Sequence, residues 1–151
     1  MRILLVSDTH GNNDCLKLLE ETYPNMDLYL HVGDSESDEY SLMPFLSVMG
    51  NRDFYPNFPM NLLIPTPYGN MLVSHLPYIR DGFFKEKDVK IFIHGHTHIR
   101  KYEERDGMII INPGAVTFAR DRYDCSYALL TINKEKVDVE FHTLDEITIN
   151  S

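Results

Sequence analysis

A chain of 151 residues, 43% hydrophobic and 25% charged, has an ordinary globular composition and enough length for one domain with a substantial core. Its formal net charge of -9 argues against general binding to nucleic acid or to anionic membrane surfaces. No apolar run approaches the roughly 18 residues needed to cross a bilayer. The two cysteines, Cys15 and Cys125, stand far apart without metal-type spacing, so both read as small buried hydrophobes in a reducing, cytoplasmic setting.

Residues 2–7 read as a first buried strand. The opening run is too short for a secretory leader, and Ser7-Asp8-Thr9-His10 interrupts it at once. Asn12 and Asn13 can cap a helix with Leu16, Leu18 and Leu19 on its apolar face, and Tyr23-Pro24-Asn25 ends that helix. Residues 27–32 and 45–49 are the next strands, and the β-α-β opening predicts parallel pairing. After Asn57 the pattern turns to short strands over residues 61–66, 71–74, 91–94, 101–105 and 108–111. Pro67-Tyr68-Gly69-Asn70 and Arg105-Asp106-Gly107 are good hairpin connections, and residues 127–132 and 137–142 close a hairpin around Asn133-Lys134-Glu135-Lys136. No repeat or linker divides the chain, so it reads as a single domain over residues 1–151. Many strands with few helices predict an α/β architecture of two packed sheets flanked by helices.

Five strand ends carry polar residues: Asp8 and His10, Asp34, Asn51, His75, then His96 and His98. In an open α/β sheet, ligands bind outside the carboxyl ends of the strands. Gly95-His96-Thr97-His98 follows the apolar run 89–93. On extended backbone, side chains two apart point the same way, so His96 and His98 are expected to converge on one point. Two Asp, one Asn and four His form an oxygen and imidazole donor set without cysteine. Such a set suits manganese, iron, zinc or cobalt better than calcium. Two such ions about 3.5–4 Å apart can each bind a phosphate oxygen and ionise the water between them. No serine or cysteine nucleophile is then needed.

Ser7-Asp8-Thr9-His10-Gly11-Asn12, His31-Val32-Gly33-Asp34-Ser35-Glu36, Gly50-Asn51-Arg52-Asp53, Gly95-His96-Thr97-His98 and Asn112-Pro113-Gly114, in this order, resemble the calcineurin-like metallophosphoesterases. Within that family they are most similar to the small bacterial and archaeal phosphodiesterases of the YfcE type. The resemblance runs from Met1 to about Thr117. It implies a four-layer αββα sandwich and a dinuclear metal-dependent phosphoesterase, more a phosphodiesterase than a monoesterase. By the same resemblance Asp8, His10 and His98 would hold the first metal and Asp34 would bridge both. Asn51, His75 and His96 would hold the second, with Asn51 also touching the substrate phosphate. The family usually carries manganese, with iron, zinc, cobalt or nickel as other transition-metal pairs. Its relatives often form dimers or higher assemblies, which leaves a homo-oligomer open here.

Three departures from the family pattern stand out. Arg52 replaces the His or Cys that follows Gly-Asn; it is always charged, so it suits a phosphate clamp rather than an acid, which leaves protonation of the leaving group to His75, to water or to neither. Leu76-Pro77 follows His75 where the family has Gly, which redirects the loop. Ala115 replaces a serine after Asn112-Pro113-Gly114. Asp53 reads as orienting a ligand or Arg52, with a simple turn carboxylate as the alternative. His31 and His94 read as packed, satisfied histidines, and His142 as a surface residue. Tyr78, Phe83 and Phe84 either wall a leaving-group pocket or pack beneath a loop. Phe54, Tyr55 and Phe58 would suit an aryl group or a base near the phosphate. The acidic run of residues 36–39 reads as a solvated face that disfavours long polyanions. The resemblance implies a small phosphodiester as the substrate; the charge disfavours nucleic acid, and no membrane partner is expected. The rivals are a nuclease or nucleotide phosphatase, and a non-catalytic interaction scaffold of the same fold.

Overall fold

The computed structural model describes residues 1–53, 57–116 and 126–143. In chain order the described elements are β1 (Arg2–Val6), α1 (Asn13–Thr22), β2 (Leu28–His31), α2 (Glu39–Leu42), β3 (Leu46–Ser47), β4 (Asn61–Thr66) and β5 (Gly69–Ser74). They continue with α3 (Phe83–Glu86), β6 (Val89–Ile93), β7 (Lys101–Arg105), β8 (Met108–Asn112), β9 (Ser126–Ile132) and β10 (Val137–Thr143). They form two five-stranded sheets, ordered β10-β9-β1-β2-β3 and β4-β5-β6-β8-β7.

The apolar alternation of each central strand explains the layering. In β1, Ile3 and Leu5 face the second sheet, while Leu4 and Val6 face the opposite way. Ile3, Leu5, Leu30 and Val32 meet Met71, Val73, Ile91, Ile93 and Ile111 in one inter-sheet core. Burying each such side chain stabilises the fold by about 1.5–3 kcal/mol. Leu4 and Val6 instead pack beneath Leu16 and Leu19 of α1 and Leu42 of α2. Outside the second sheet, Leu72, Phe92 and Ile110 are covered by Ile79, Phe83 and Phe84 around the single turn of α3. The expected αββα order is present, with a thin fourth layer.

β1 runs parallel to β2, and β2 to β3; in the other sheet β5, β6 and β8 are mutually parallel. Their carboxyl ends consequently point toward one end of the molecule, where the polar motifs sit. The hairpins form where expected. Thr66 pairs with Gly69 across Pro67-Tyr68, and Arg105 pairs with Met108. Asp106 and Gly107 both have positive φ, 52° and 78°, the backbone that a type I′ turn demands.

Several local expectations are corrected. Asn12 occupies the N-cap of α1 but makes no side-chain cap bond. Its φ and ψ of -81° and 74° lie outside the extended conformation from which a cap side chain reaches back. Leu18 is 38% exposed, because Cys15, Leu16 and Leu19 turn the buried face away from it. The third strand contracts to Leu46–Ser47. The short helices α2 and α3, each of four residues, carry too little periodicity to be read from sequence.

Candidate metal centre

Two loops carry the first donors. After β1, the chain continues beside the segment that follows β2: Asp8 N–H donates to Gly33 O (3.0 Å), His10 N–H to Asp34 O (2.9 Å) and Gly11 N–H to Ser35 O (2.7 Å). This zipper extends the parallel ladder beyond the strands and sets Asp8 and His10 next to Asp34 and Glu36. The buried His31 ties the same loops together. Gly33 N–H donates to His31 Nδ1 (3.0 Å), which leaves the ring proton on Nε2 to donate to Thr9 Oγ1 (2.9 Å). Burial lowers the His31 pKa to about 4, so this link is neutral at physiological pH. His31 is a satisfied core histidine, as expected from sequence.

Five of the seven candidate donors, and Glu36 beside them, do not sit on extended backbone. Asp8, His10, Asp34, Glu36, His96 and His98 all have positive φ, from 47° at His10 to 70° at His96. Three polar-x-polar pairs therefore share one unusual local geometry: Asp8/His10, Asp34/Glu36 and His96/His98. Left-handed backbone costs a non-glycine residue on the order of 1 kcal/mol and tends to concentrate at functional sites. The convergence of His96 and His98 on one point is corrected accordingly. His98 Nε2 lies 3.2 Å from Asp8 Oδ1, whereas His96 Nδ1 lies 3.1 Å from Asn51 Oδ1. A left-handed residue at each position aims the two imidazoles at different partners.

Among the described residues, two groups could each hold a cation: Asp8, His10 and His98, and Asp8, Asp34 and His75. Within each group the ligand atoms all lie within 4.8 Å of one another, and the two share Asp8. His75 makes the electrostatics explicit. Its Nδ1–H donates to Val32 O (2.8 Å), which directs Nε2 into the site. Nε2 then lies 2.9 Å from Asn51 Oδ1, 3.2 Å from Asp34 Oδ2 and 3.9 Å from Asp8 Oδ1. Three oxygen acceptors facing one imidazole nitrogen require a positive charge among them, either a proton or a metal ion. Burial opposes protonation of His75, but the Asp34 hydrogen bond and the charges of Asp8 and Asp34 prevail and raise its pKa. Asp34 responds in the opposite sense. Burial raises its pKa, yet its bonds from His75 and from the Arg52 backbone leave it lowered. Hard oxygens and imidazoles around such a point fit a divalent transition metal.

Glycine and Asp53 complete the frame. A Cβ on Gly50 would collide with the Asp34 carboxylate and its backbone nitrogen, so only glycine lets the two loops approach. Asp53 accepts from three backbone groups: Gly50 N–H (2.7 Å), Glu36 N–H (2.8 Å) and Asp34 N–H (3.0 Å). It therefore clamps the loop after β2 to the loop after β3. Arg52 N–H donates to Asp34 Oδ1 (2.7 Å), and its exposed side chain lines the cleft. Asn112 donates to Thr97 Oγ1 (3.0 Å) and Gly95 O (3.3 Å), bracing the loop that carries His96 and His98. Ala115 is buried and apolar, so the missing serine hydroxyl leaves no exposed gap.

A cleft of about 570 Å³ opens over these groups, lined by His10, Asp34, Glu36, Asn51, Arg52, His96 and His98. A cleft of equal volume lies outside the second sheet against Phe84, Phe92, Met108 and Ile110, away from the donors. Phe83 and Phe84 of α3 thus pack on the outer face of the second sheet rather than walling the polar cleft, and Phe58 is buried in the core under the first sheet. Tyr78 is 79% exposed. Phe54, Tyr55 and Cys125 lie outside the described residues. His94 is packed against Phe92, and His142 is half-buried against Tyr127 rather than fully at the surface. The acidic run keeps Glu36 exposed but has more structure than a plain solvated face. Glu36 lines the cleft, Ser37 is buried, and Asp38 caps α2 by accepting from Ser41 N–H. Glu36 was hidden by its charged neighbours. Its signal was the polar-x-polar spacing with Asp34 that Asp8 and His10 also show.

The calcineurin-like phosphoesterase superfamily domain matches residues 1–135, and the chain belongs to that family. It is 32% identical over 153 residues to the probable metallophosphoesterase YsnB of Bacillus subtilis, covering 94% of this chain and 90% of that protein. Among solved structures, a conserved Streptococcus pneumoniae protein described as a predicted phosphoesterase superposes with a TM-score of 0.84 at 27% identity, covering 95% and 90% of the two chains. Two others share the fold alone. Vps29 from Entamoeba histolytica has a TM-score of 0.76 at 23% identity, covering 95% and 93%. An archaeal phosphodiesterase has a TM-score of 0.71 at 19% identity, covering 94% and 100%. No described helix is long and apolar enough to cross a membrane.

Proposed function

We propose that this metallophosphoesterase is a dinuclear phosphodiesterase acting on small substrates in the cytoplasm, within a single domain over residues 1–151. The observation that carries the reading is the pair of donor groups sharing Asp8 beneath a cleft that Arg52 borders. In this reading Asp8, His10 and His98 would hold one divalent cation, and Asn51, His75 and His96 the other. Asp34 would bridge them. The thiol-free donor set supports manganese, with iron, zinc, cobalt or nickel as alternatives. Such cations supply charge to the phosphoryl oxygens and a water that ionises near neutral pH.

The protein groups divide the remaining work. Val32 O keeps the His75 proton on Nδ1, so Nε2 faces the oxygen donors. Arg52 N–H holds the Asp34 carboxylate in place. The Asn51 amide would contact the phosphate, and the Arg52 guanidinium would clamp a phosphoryl oxygen as charge develops. An arginine gives up no proton at this pH, so position 52 supplies no leaving-group acid. Good leaving groups such as aryl phosphodiesters should react fastest, and rates should fall steeply as leaving-group pKa rises. A flat dependence would count against this assignment.

The net charge of -9 weighs against a polynucleotide substrate and so against the nuclease alternative. The likeness to Vps29 concerns the fold and gives no reason to prefer a scaffold. The deciding variant is Asp34→Asn. It should abolish hydrolysis of an activated diester while leaving the far-UV circular dichroism unchanged. A folded variant with wild-type turnover would refute the reading, and a scaffold would have no turnover to lose.

A further inference from the structure

We propose that Glu36 is a positioning residue that fixes the His10 imidazole for metal ligation; the inference rests on the metal reading above. Glu36 Oε1 lies 3.4 Å from His10 Nδ1. A proton held on Nδ1 by that carboxylate leaves Nε2 as the ligand atom, and the negative charge makes the ring a stronger donor. Val32 O performs the same tautomer selection for His75, from 2.8 Å. The two imidazoles are thus each steered through Nδ1, one by a neutral carbonyl and one by a carboxylate.

The backbone is built to deliver this contact. Glu36 holds a φ of 55°, a conformation that glutamate rarely adopts. Its N–H is anchored to Asp53 Oδ1 at 2.8 Å. On the facing loop, His10 N–H donates to Asp34 O and Gly11 N–H to Ser35 O, bringing the two side chains opposite each other. The exposed Glu36 side chain lines the rim of the cleft on the side of His10. The Asp53 bond is made by the Glu36 backbone and survives replacement of the side chain, so a variant at this position tests the carboxylate itself.

Full-length wild-type protein, Glu36→Ala and Glu36→Gln would be titrated with Mn2+ alone. Loss of the carboxylate in the alanine variant should weaken the affected site about 10–100-fold. The glutamine variant keeps an acceptor oxygen and should recover part of that loss. In the zinc-loaded proteins, NMR should show a protected His10 Nδ1–H in wild type that is lost in the alanine variant. The His75 Nδ1–H should persist in all three. An alanine variant binding Mn2+ within twofold of wild type would overturn the proposal. So would equal weakening in the glutamine variant, or joint loss of the His75 signal, which would signify a loosened loop. Failure of wild type to bind metal at all would overturn it together with the metal reading. A metal-loaded wild type that hydrolyses nothing would count against the phosphoesterase reading and leave the Glu36 result standing.

Discussion

Asp53 is where the frame of the metal centre can be measured most directly. Replacing it with alanine removes the acceptor for three backbone donors: Asp34 N–H, Glu36 N–H and Gly50 N–H. Hydrogen bonds to a charged group contribute about 1.5–3 kcal/mol each, so three fully buried ones would total about 5–9 kcal/mol. Asp53 is half-buried, and water can take over part of that bonding. A loss of about 3 kcal/mol is therefore expected. At a urea m-value of about 2 kcal/mol/M, the unfolding midpoint should fall by roughly 1.5 M with no change in slope. Asparagine keeps one oxygen in place of Oδ2 and with it two of the three bonds, so its loss should be about 1–1.5 kcal/mol. Urea unfolding of the metal-free proteins gives both values. A change under about 0.5 kcal/mol in the alanine variant would mean that Asp53 is an ordinary turn carboxylate and would refute the clamp.

Two further outcomes follow from the same geometry. Gly50→Ala places a methyl group against the Asp34 carboxylate and should weaken Mn2+ binding at least tenfold; calorimetric titration at wild-type affinity would contradict the close approach. His31 titrates at 6.5 when unfolded and at about 4 when folded, so the unfolded state binds more protons between those values. Its contribution is intact above pH 6.5 and is lost as pH falls toward 4, by about 3 kcal/mol in all. Urea unfolding from about pH 7 to about pH 4.5 should show a shallower dependence in His31→Asn than in wild type, and parallel curves would defeat the assignment.

That these seven candidate residues would converge was legible in the sequence because each follows an apolar strand, a pattern that is local along the chain. Asp8, His10, Asp34, Asn51, His75, His96 and His98 all meet at one end of the two sheets. Their backbone was not legible. The positive φ at five of them, and at Glu36, depends on loops bonded to one another, as with His10 N–H and Asp34 O, and no window of sequence records that. Glu36 was absorbed into an acidic run because charge composition outweighed its spacing from Asp34. Leu18 satisfied helical periodicity yet lies at the edge of the buried face. Sequence alone does not choose between two surfaces for Phe83 and Phe84; packing against Phe92 and Leu72 decides it.

The central claim is that the seven converging residues, with Asp34 between the two sites, hold metal ions that make the cleft a phosphodiesterase. The most direct measurement is hydrolysis of bis-p-nitrophenyl phosphate and p-nitrophenyl phosphate by metal-stripped protein, before and after adding manganese. Manganese should restore turnover and favour the diester. Tight manganese uptake with no hydrolysis of either compound would contradict the account.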